Sequence, residues 1–202
     1  SIDELDYIKE GNKFIEVGAT TPLRKFELFI TKYYSDFNII LKRYGSVQIR
    51  NVATMAGNIA TASPIGDSLP LLLSLDASIV IESFNKKTIL PLKDFFISYR
   101  KTKLKRGQFI SSIKIPILKE NIFKAYKISK RIDDDISSVC ASFNLAIVNK
   151  KIKNIKIAYG GMAPIPKRAI HCEKTLLNSD LSEEVILKAQ KSLEKDFQPI
   201  DD

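Results

Sequence analysis

The chain has 202 residues, 45% apolar and 27% charged, a composition that supports a packed core rather than disorder. Its 32 Lys and Arg against 23 Asp and Glu give a net charge of +9. Yet the cations are mostly Lys, and the densest run, residues 100–106, lacks the interleaved aromatics of a nucleic-acid reader.

No stretch approaches the roughly 18 uninterrupted apolar residues of a membrane span. The acidic residues 1–7 lack the basic-then-apolar pattern of a signal peptide, so a reducing cytoplasm is the expected compartment, with no nucleic-acid or membrane partner. Two cysteines, Cys140 and Cys172, and one histidine, His171, supply neither a disulfide framework nor a metal centre. His171 reads as a solvated loop residue.

Residues 14–19 read as a short strand closing on a glycine turn. Thr21-Pro22 predicts a helix start, a capping hydroxyl before proline at the first helical position. Leu23, Phe26, Leu28 and Ile30 then mark an amphipathic helix to about Tyr34. Ser35-Asp36 starts a second helix, carrying Phe37, Ile40, Leu41 and Tyr44 and stopped by Gly45. Between Gly45 and Asp67, Gly, Pro, Asn, Thr, Ser and Ala replace large apolar anchors. That segment reads as a loop, either on the surface or shaped around a ligand. Asp67-Ser68 is expected to cap a short helix over 69–75, followed by strands at 78–82 and 109–117.

Past a boundary near Glu120-Asn121 the chain reads as a separate α+β unit. Strands are expected at 123–129, 138–148 and 152–159, antiparallel because Asn149-Lys150-Lys151 is too short for a helical crossover. Helices follow near 173–177 and 181–195, the second with Ser182, Glu183 and Glu184 at its start.

Chemistry concentrates in the Gly45–Asp67 segment. Small residues around Gly57 let backbone amides approach a ligand, Thr54 and Asn58 offer short polar side chains, and Asp67 could accept hydroxyl hydrogens from a ribose or ribityl chain. By this chemistry alone, a tight loop with Asp67 as a helix cap remains open.

The string Arg43-Tyr44-Gly45-Ser46-Val47-Gln48-Ile49-Arg50-Asn51, followed by Thr54-Met55-Ala56-Gly57-Asn58 and Ser63-Pro64-Ile65-Gly66-Asp67, is more specific. With Leu90-Pro91-Leu92-Lys93-Asp94-Phe95-Phe96, Tyr99-Arg100-Lys101-Thr102, Ala125-Tyr126-Lys127-Ile128-Ser129, Asp134-Asp135-Ile136-Ser137-Ser138 and Ile157-Ala158-Tyr159-Gly160-Gly161-Met162-Ala163, it spans essentially the whole chain. The run Asp196-Phe197-Gln198-Pro199-Ile200-Asp201-Asp202 completes it. In that order the segments resemble the FAD-binding flavoproteins of the molybdenum hydroxylases, and within them the small subunits of bacterial xanthine dehydrogenases.

The resemblance implies an α+β chain: a PCMH-type FAD-binding domain over 1–119, its N-terminal part missing, then a smaller CO dehydrogenase flavoprotein C-terminal-like domain over 120–202. It implies FAD contacts from Tyr44, Thr54, Met55, Ala56, Gly57, Asn58, Asp67, Ile110 and Lys127, with Tyr44 stacked on the isoalloxazine and Lys127 as a cofactor-side cation. The segment 128–138, with Lys130, Arg131 and Asp133-Asp134-Asp135, resembles the charged loop near the flavin, able to tune its potential and its access to nicotinamide. NAD is the implied co-substrate. The implied partners are a molybdopterin-binding large subunit and an iron–sulfur domain with 2Fe-2S clusters. No catalytic or metal-ligating residue is implied within the chain.

Two departures matter. Ala56 stands where the family has a second glycine, and a positive φ there would strain the loop by about 1–2 kcal/mol. The family's first glycine-rich loop, which cradles the pyrophosphate, lies upstream of anything matching Ser1, so the chain reads as a fragment. Three other readings compete: the flavoprotein of a carbon monoxide or nicotinate-type hydroxylase, a fragment unable to hold FAD, and a basic nucleic-acid binder.

Overall fold

The computed structural model describes residues 2–132 and 134–199. Asp133 of the acidic trio and the Ile200-Asp201-Asp202 end of the tail match lie outside the described residues. In chain order the strands are β1 (Ile8–Glu10), β2 (Phe14–Gly18), β3 (Ser78–Ser83), β4 (Lys86–Pro91), β5 (Phe96–Ser98), β6 (Lys101–Thr102), β7 (Phe109–Pro116), β8 (Ile122–Ile128), β9 (Val139–Val148), β10 (Lys151–Gly160) and β11 (Lys167–Arg168). The helices are α1 (Leu23–Ile30), α2 (Ser35–Lys42), α3 (Val47–Val52), α4 (Met55–Thr61), α5 (Ser68–Ser74), α6 (Ile170–Leu176) and α7 (Glu183–Ser192).

One sheet runs β1-β2-β7-β3-β4, a second runs β11-β10-β9-β8, and β5 with β6 forms a hairpin. Every pairing is antiparallel, an α+β architecture. In the first sheet β7 is central: Ile113 lies opposite Val17 on one side and Ile79 on the other, all three fully buried. Phe26, Ile30, Phe37 and Leu41 from α1 and α2 share that core.

Helix α5 is buried along its whole length, because Leu69, Leu71, Leu72 and Leu73 leave no polar face. It packs against β9 and β10, so Ala125, Cys140 and Ala158 of the second sheet join the core of the first. Ser74 and Ser142 hydroxyls meet at 2.7 Å, and Asn144 Nδ2 donates to the Ser74 carbonyl at 2.8 Å. The opposite face of the second sheet packs Ile155 and Ile157 against Cys172, Leu176, Ala189 and Phe197.

Several local readings change. Segment 45–67 is not a loop: it holds α3 and α4, capped by Ser46 and Thr54, whose oxygens accept from Ile49 N and Gly57 N. Thr21 does not cap α1. Its hydroxyl donates to the Tyr7 carbonyl, and Pro22 takes the cap position. That helix ends at Ile30 rather than near Tyr34, because Asn38 Nδ2 takes the Glu27 carbonyl at 2.7 Å.

Asp67 makes no side-chain cap to α5, since its carboxylate is drawn to groups across the fold. His171 sits on α6, not in a loop, with Nδ1 2.9 Å from Asp196 Oδ1. Strands β1 and β4, short and rich in polar residues, are additions the patterning does not show. Among the described residues, no helix is long and apolar enough to cross a membrane.

Candidate cofactor site

The turn after α2 and the two short helices that follow build one groove. Gly45 takes φ +55°, the left-handed conformation that turns the chain from α2 into α3. Arg50, almost buried on α3, fixes that turn. Its Nη1 donates to the carbonyls of Lys42 and Gly45 at 3.0 and 2.5 Å, while Nε donates to Glu27 Oε2 at 2.9 Å on α1. Glu27 is fully buried and also meets Arg24 at 2.7 Å. Tyr44 is thereby held at the groove's edge by a backbone stapled to the first core.

The groove encloses about 420 Å³ and is lined in part by Tyr44, Thr54, Gly57, Asn58, Thr61 and Arg100. Asn58 Nδ2 donates to Tyr44 Oη at 3.0 Å, and Asn58 Oδ1 accepts from Ser68 Oγ at 2.5 Å. Tyr44 therefore keeps its own hydroxyl hydrogen for another acceptor. Burial, reinforced by the charge of Asp67, pushes its phenol pKa up, so it stays neutral.

Gly57 is exposed and has ordinary helical geometry. A Cβ there would meet only Thr54 Oγ1, at 3.1 Å. Its backbone conformation does not demand glycine; what the missing side chain provides is a flat groove floor. Ala56 likewise has no positive φ, so the strain expected of it is absent.

Lys127 and Asp67 meet 2.7 Å apart beside the groove, with side chains 2% and 5% exposed. Lys127 Nζ also donates to the Arg43 carbonyl at 3.0 Å, and Ser137 Oγ donates to the other Asp67 oxygen. Arg43 returns three bonds, one to the end of β8 and two to the segment after it: Nη1 to Lys127 O, Nη2 to Ser129 Oγ and Nε to Ile132 O, all within 3.0 Å. Ser129 and Ile132 of the charged segment are thus anchored on the residue that precedes Tyr44. Gly161, at φ +87°, has Ser138 O only 2.1 Å from where a Cβ would stand, and its amide donates to Pro64 O at 2.8 Å. Only glycine lets β10 close on both segments.

Of the nine residues marked by resemblance, Tyr44, Thr54, Gly57 and Asn58 line the groove, and Asp67 and Lys127 form the buried pair behind it. Met55, Ala56 and Ile110 are buried in the core beneath α4 and β7. Arg43 and Arg50 stand in the string that carries the resemblance but receive no role from it, and Glu27 and Thr61 escape sequence reasoning, since the partners of the charged three lie on other elements and the spacing of Thr61 carries no signature. A larger groove of about 880 Å³ near Lys32, Tyr34 and Phe123 contains none of these residues.

The groove fits a flat cofactor bearing hydroxyls. It offers an aromatic wall at Tyr44, a bare backbone floor at Gly57, and amide and hydroxyl groups at Asn58 and Thr61.

Residues 1–118 match the family model described as FAD binding domain in molybdopterin dehydrogenase, and residues 124–202 match CO dehydrogenase flavoprotein C-terminal domain. A xanthine dehydrogenase of Emericella nidulans is 35% identical over 209 residues, covering 96% of this chain and 15% of that protein. A nicotinate hydroxylase of the same organism is 38% identical over 153 residues, covering 73% of this chain and 11% of that protein. The chain thus spans under a sixth of either relative. In fold, it is similar to a chain of the carbon monoxide dehydrogenase from Hydrogenophaga pseudoflava, with a TM-score of 0.93 at 22% identity over 100% of this chain and 71% of that one. With both of its parts matched in order, the chain belongs to the molybdenum hydroxylase family, as its FAD-binding portion.

Proposed function

We propose that this chain holds FAD for a xanthine dehydrogenase-type oxidoreductase of the cytoplasm, with a molybdopterin-binding large subunit and an iron–sulfur domain as partners and NAD as acceptor. FAD, when bound, supplies the relay that carries electrons from the molybdenum and iron–sulfur centres to NAD during oxidation of hypoxanthine or xanthine. The observation that carries this reading is the convergence of Tyr44, Gly57 and Asn58 on one groove.

In this reading Tyr44 shields one face of the ring system from water, and Asn58 fixes the Tyr44 hydroxyl. Gly57 admits the cofactor close to backbone. Asp67 and Lys127 act from behind: the pair, bonded to the Arg43 carbonyl and to Ser137, holds the base of the charged segment against the residue that precedes Tyr44. The xanthine dehydrogenase relative, matched over almost the whole chain, supports the purine enzyme. The nicotinate hydroxylase relative supports a second reading, the flavoprotein portion of a hydroxylase acting on another heterocycle.

Incubation with FAD, desalting and visible absorption test the reading, with a version extended upstream run in parallel. We expect flavin bands in at least one of the two, and their loss in Gly57→Leu, whose side chain fills the groove floor while its helix stays intact by circular dichroism. Colourless wild-type protein in both versions, or a fully yellow Gly57→Leu, would sink the assignment.

A further inference from the structure

Between Leu92 and Phe109 the chain carries six cations, Lys93, Arg100, Lys101, Lys103, Lys105 and Arg106, against one carboxylate, Asp94. Elsewhere cations such as Lys25, Lys32, Lys87, Lys124 and Lys156 each meet a carboxylate. Arg100, Lys101, Lys103, Lys105 and Arg106 form no ion pair among the described residues. The lobe therefore presents unneutralised positive charge.

Arg100 is the member of this lobe that reaches the groove, and it is the one charged residue among the groove's described lining. It sits in the two-residue turn between paired Ser98 and Lys101, at φ +51°. Glycine, asparagine or aspartate ordinarily takes that conformation, and a long side chain there is disfavoured. In that conformation the turn holds Arg100 at the mouth of the groove. The Tyr99 ring lies 5.7 Å from the guanidinium carbon and supports it from one side. The guanidinium fork suits a phosphate pair, and the surrounding lysines raise the local concentration of anions.

We propose that Arg100 is an anion-binding residue of this groove and takes the diphosphate of a dinucleotide that enters beside Tyr44. This deepens the function proposed above and rests on it for the identity of the groove. Two sources share the chemistry: the diphosphate of FAD itself, and that of a nicotinamide dinucleotide acceptor.

Calorimetric titration of the upstream-extended version with FAD, NAD and ADP-ribose, for wild type, Arg100→Gly and Arg100→Lys, separates them. Arg100→Gly removes the guanidinium while relaxing the turn, so its melting point is expected at or above wild type and weakened binding cannot be blamed on unfolding. The expected result is about tenfold weaker NAD and ADP-ribose binding in Arg100→Gly, with partial recovery in Arg100→Lys. Loss confined to FAD assigns the site to the cofactor's own diphosphate; loss of NAD and ADP-ribose with FAD retained assigns it to the acceptor. Unchanged affinity for all three probes overturns the proposal. Wild-type protein that binds ADP-ribose but not FAD overturns the FAD reading alone, and Arg100 is then judged on ADP-ribose. Wild-type protein that binds none of the three overturns both.

Discussion

Asp67 and Lys127 illustrate why single residues near the groove serve two ends. Each is nearly inaccessible, and each would be costly to bury alone. Lys127→Met would leave the Asp67 carboxylate with Ser137 as its main side-chain partner, an expected destabilisation of about 3–5 kcal/mol. The double variant Asp67→Asn with Lys127→Met removes both charges and should recover most of that loss. Urea denaturation of the two singles and the double checks this; additive losses would show that the pair is not coupled. Arg50 works at the same scale without touching the groove, since its bonds to Lys42, Gly45 and Glu27 set where the Tyr44 backbone stands.

Among elements, α6 depends on a residue well beyond its own end. The Asp196 carboxylate accepts from the amides of His171 and Cys172, all at 3.0 Å, and caps the helix start in place of a local side chain. Burial pushes the Asp196 carboxyl up, but those bonds and the His171 ring outweigh it and hold it below its ordinary value of 3.8. A depressed native value stabilises the fold above the unfolded pKa, and that contribution disappears as pH falls through the native one. Asp196→Ala should therefore cost about 1–2 kcal/mol at neutral pH. The difference from wild type should shrink steadily below about pH 4. Denaturation midpoints measured from pH 7 to 2.5 decide it; a gap that persists at the acid end would exclude the capping role.

Elements also show what patterning could deliver. Strands β2, β3, β7, β9 and β10 are legible because alternating or continuous apolar runs need no knowledge of their neighbours. Helices α3 and α4 are hidden, since Gly57, Asn58 and other weak helix formers fill them and only their Ser46 and Thr54 caps advertise them. Strand β4 is hidden for a different reason: Lys86 and Lys87 face water, and β3 alone supplies its register.

For the whole molecule, α5 is the shared part. It packs on the second sheet while its leucines fill the core of the first, and the Ser74–Ser142 contact and Asn144 tie the two polar seams. Two regions with one helix in common should unfold together. Far-ultraviolet circular dichroism and tyrosine fluorescence are expected to give coincident denaturation curves. Separated transitions would show that the second sheet holds its structure without α5.

Taken alone, the order of residues determined the main strands, the α+β class and the family, because each is written in contiguous or nearly contiguous strings such as residues 43–67. It also marked Tyr44, Thr54, Gly57 and Asn58, which come from one such string and line one groove. Tertiary structure alone decided the rest. Asp67 and Lys127 lie 60 positions apart, Arg43 and Ser129 lie 86, and Arg100 reaches a groove otherwise built by residues 44–66. No local pattern encodes those meetings, because a buried charge takes whichever opposite charge packing brings to it.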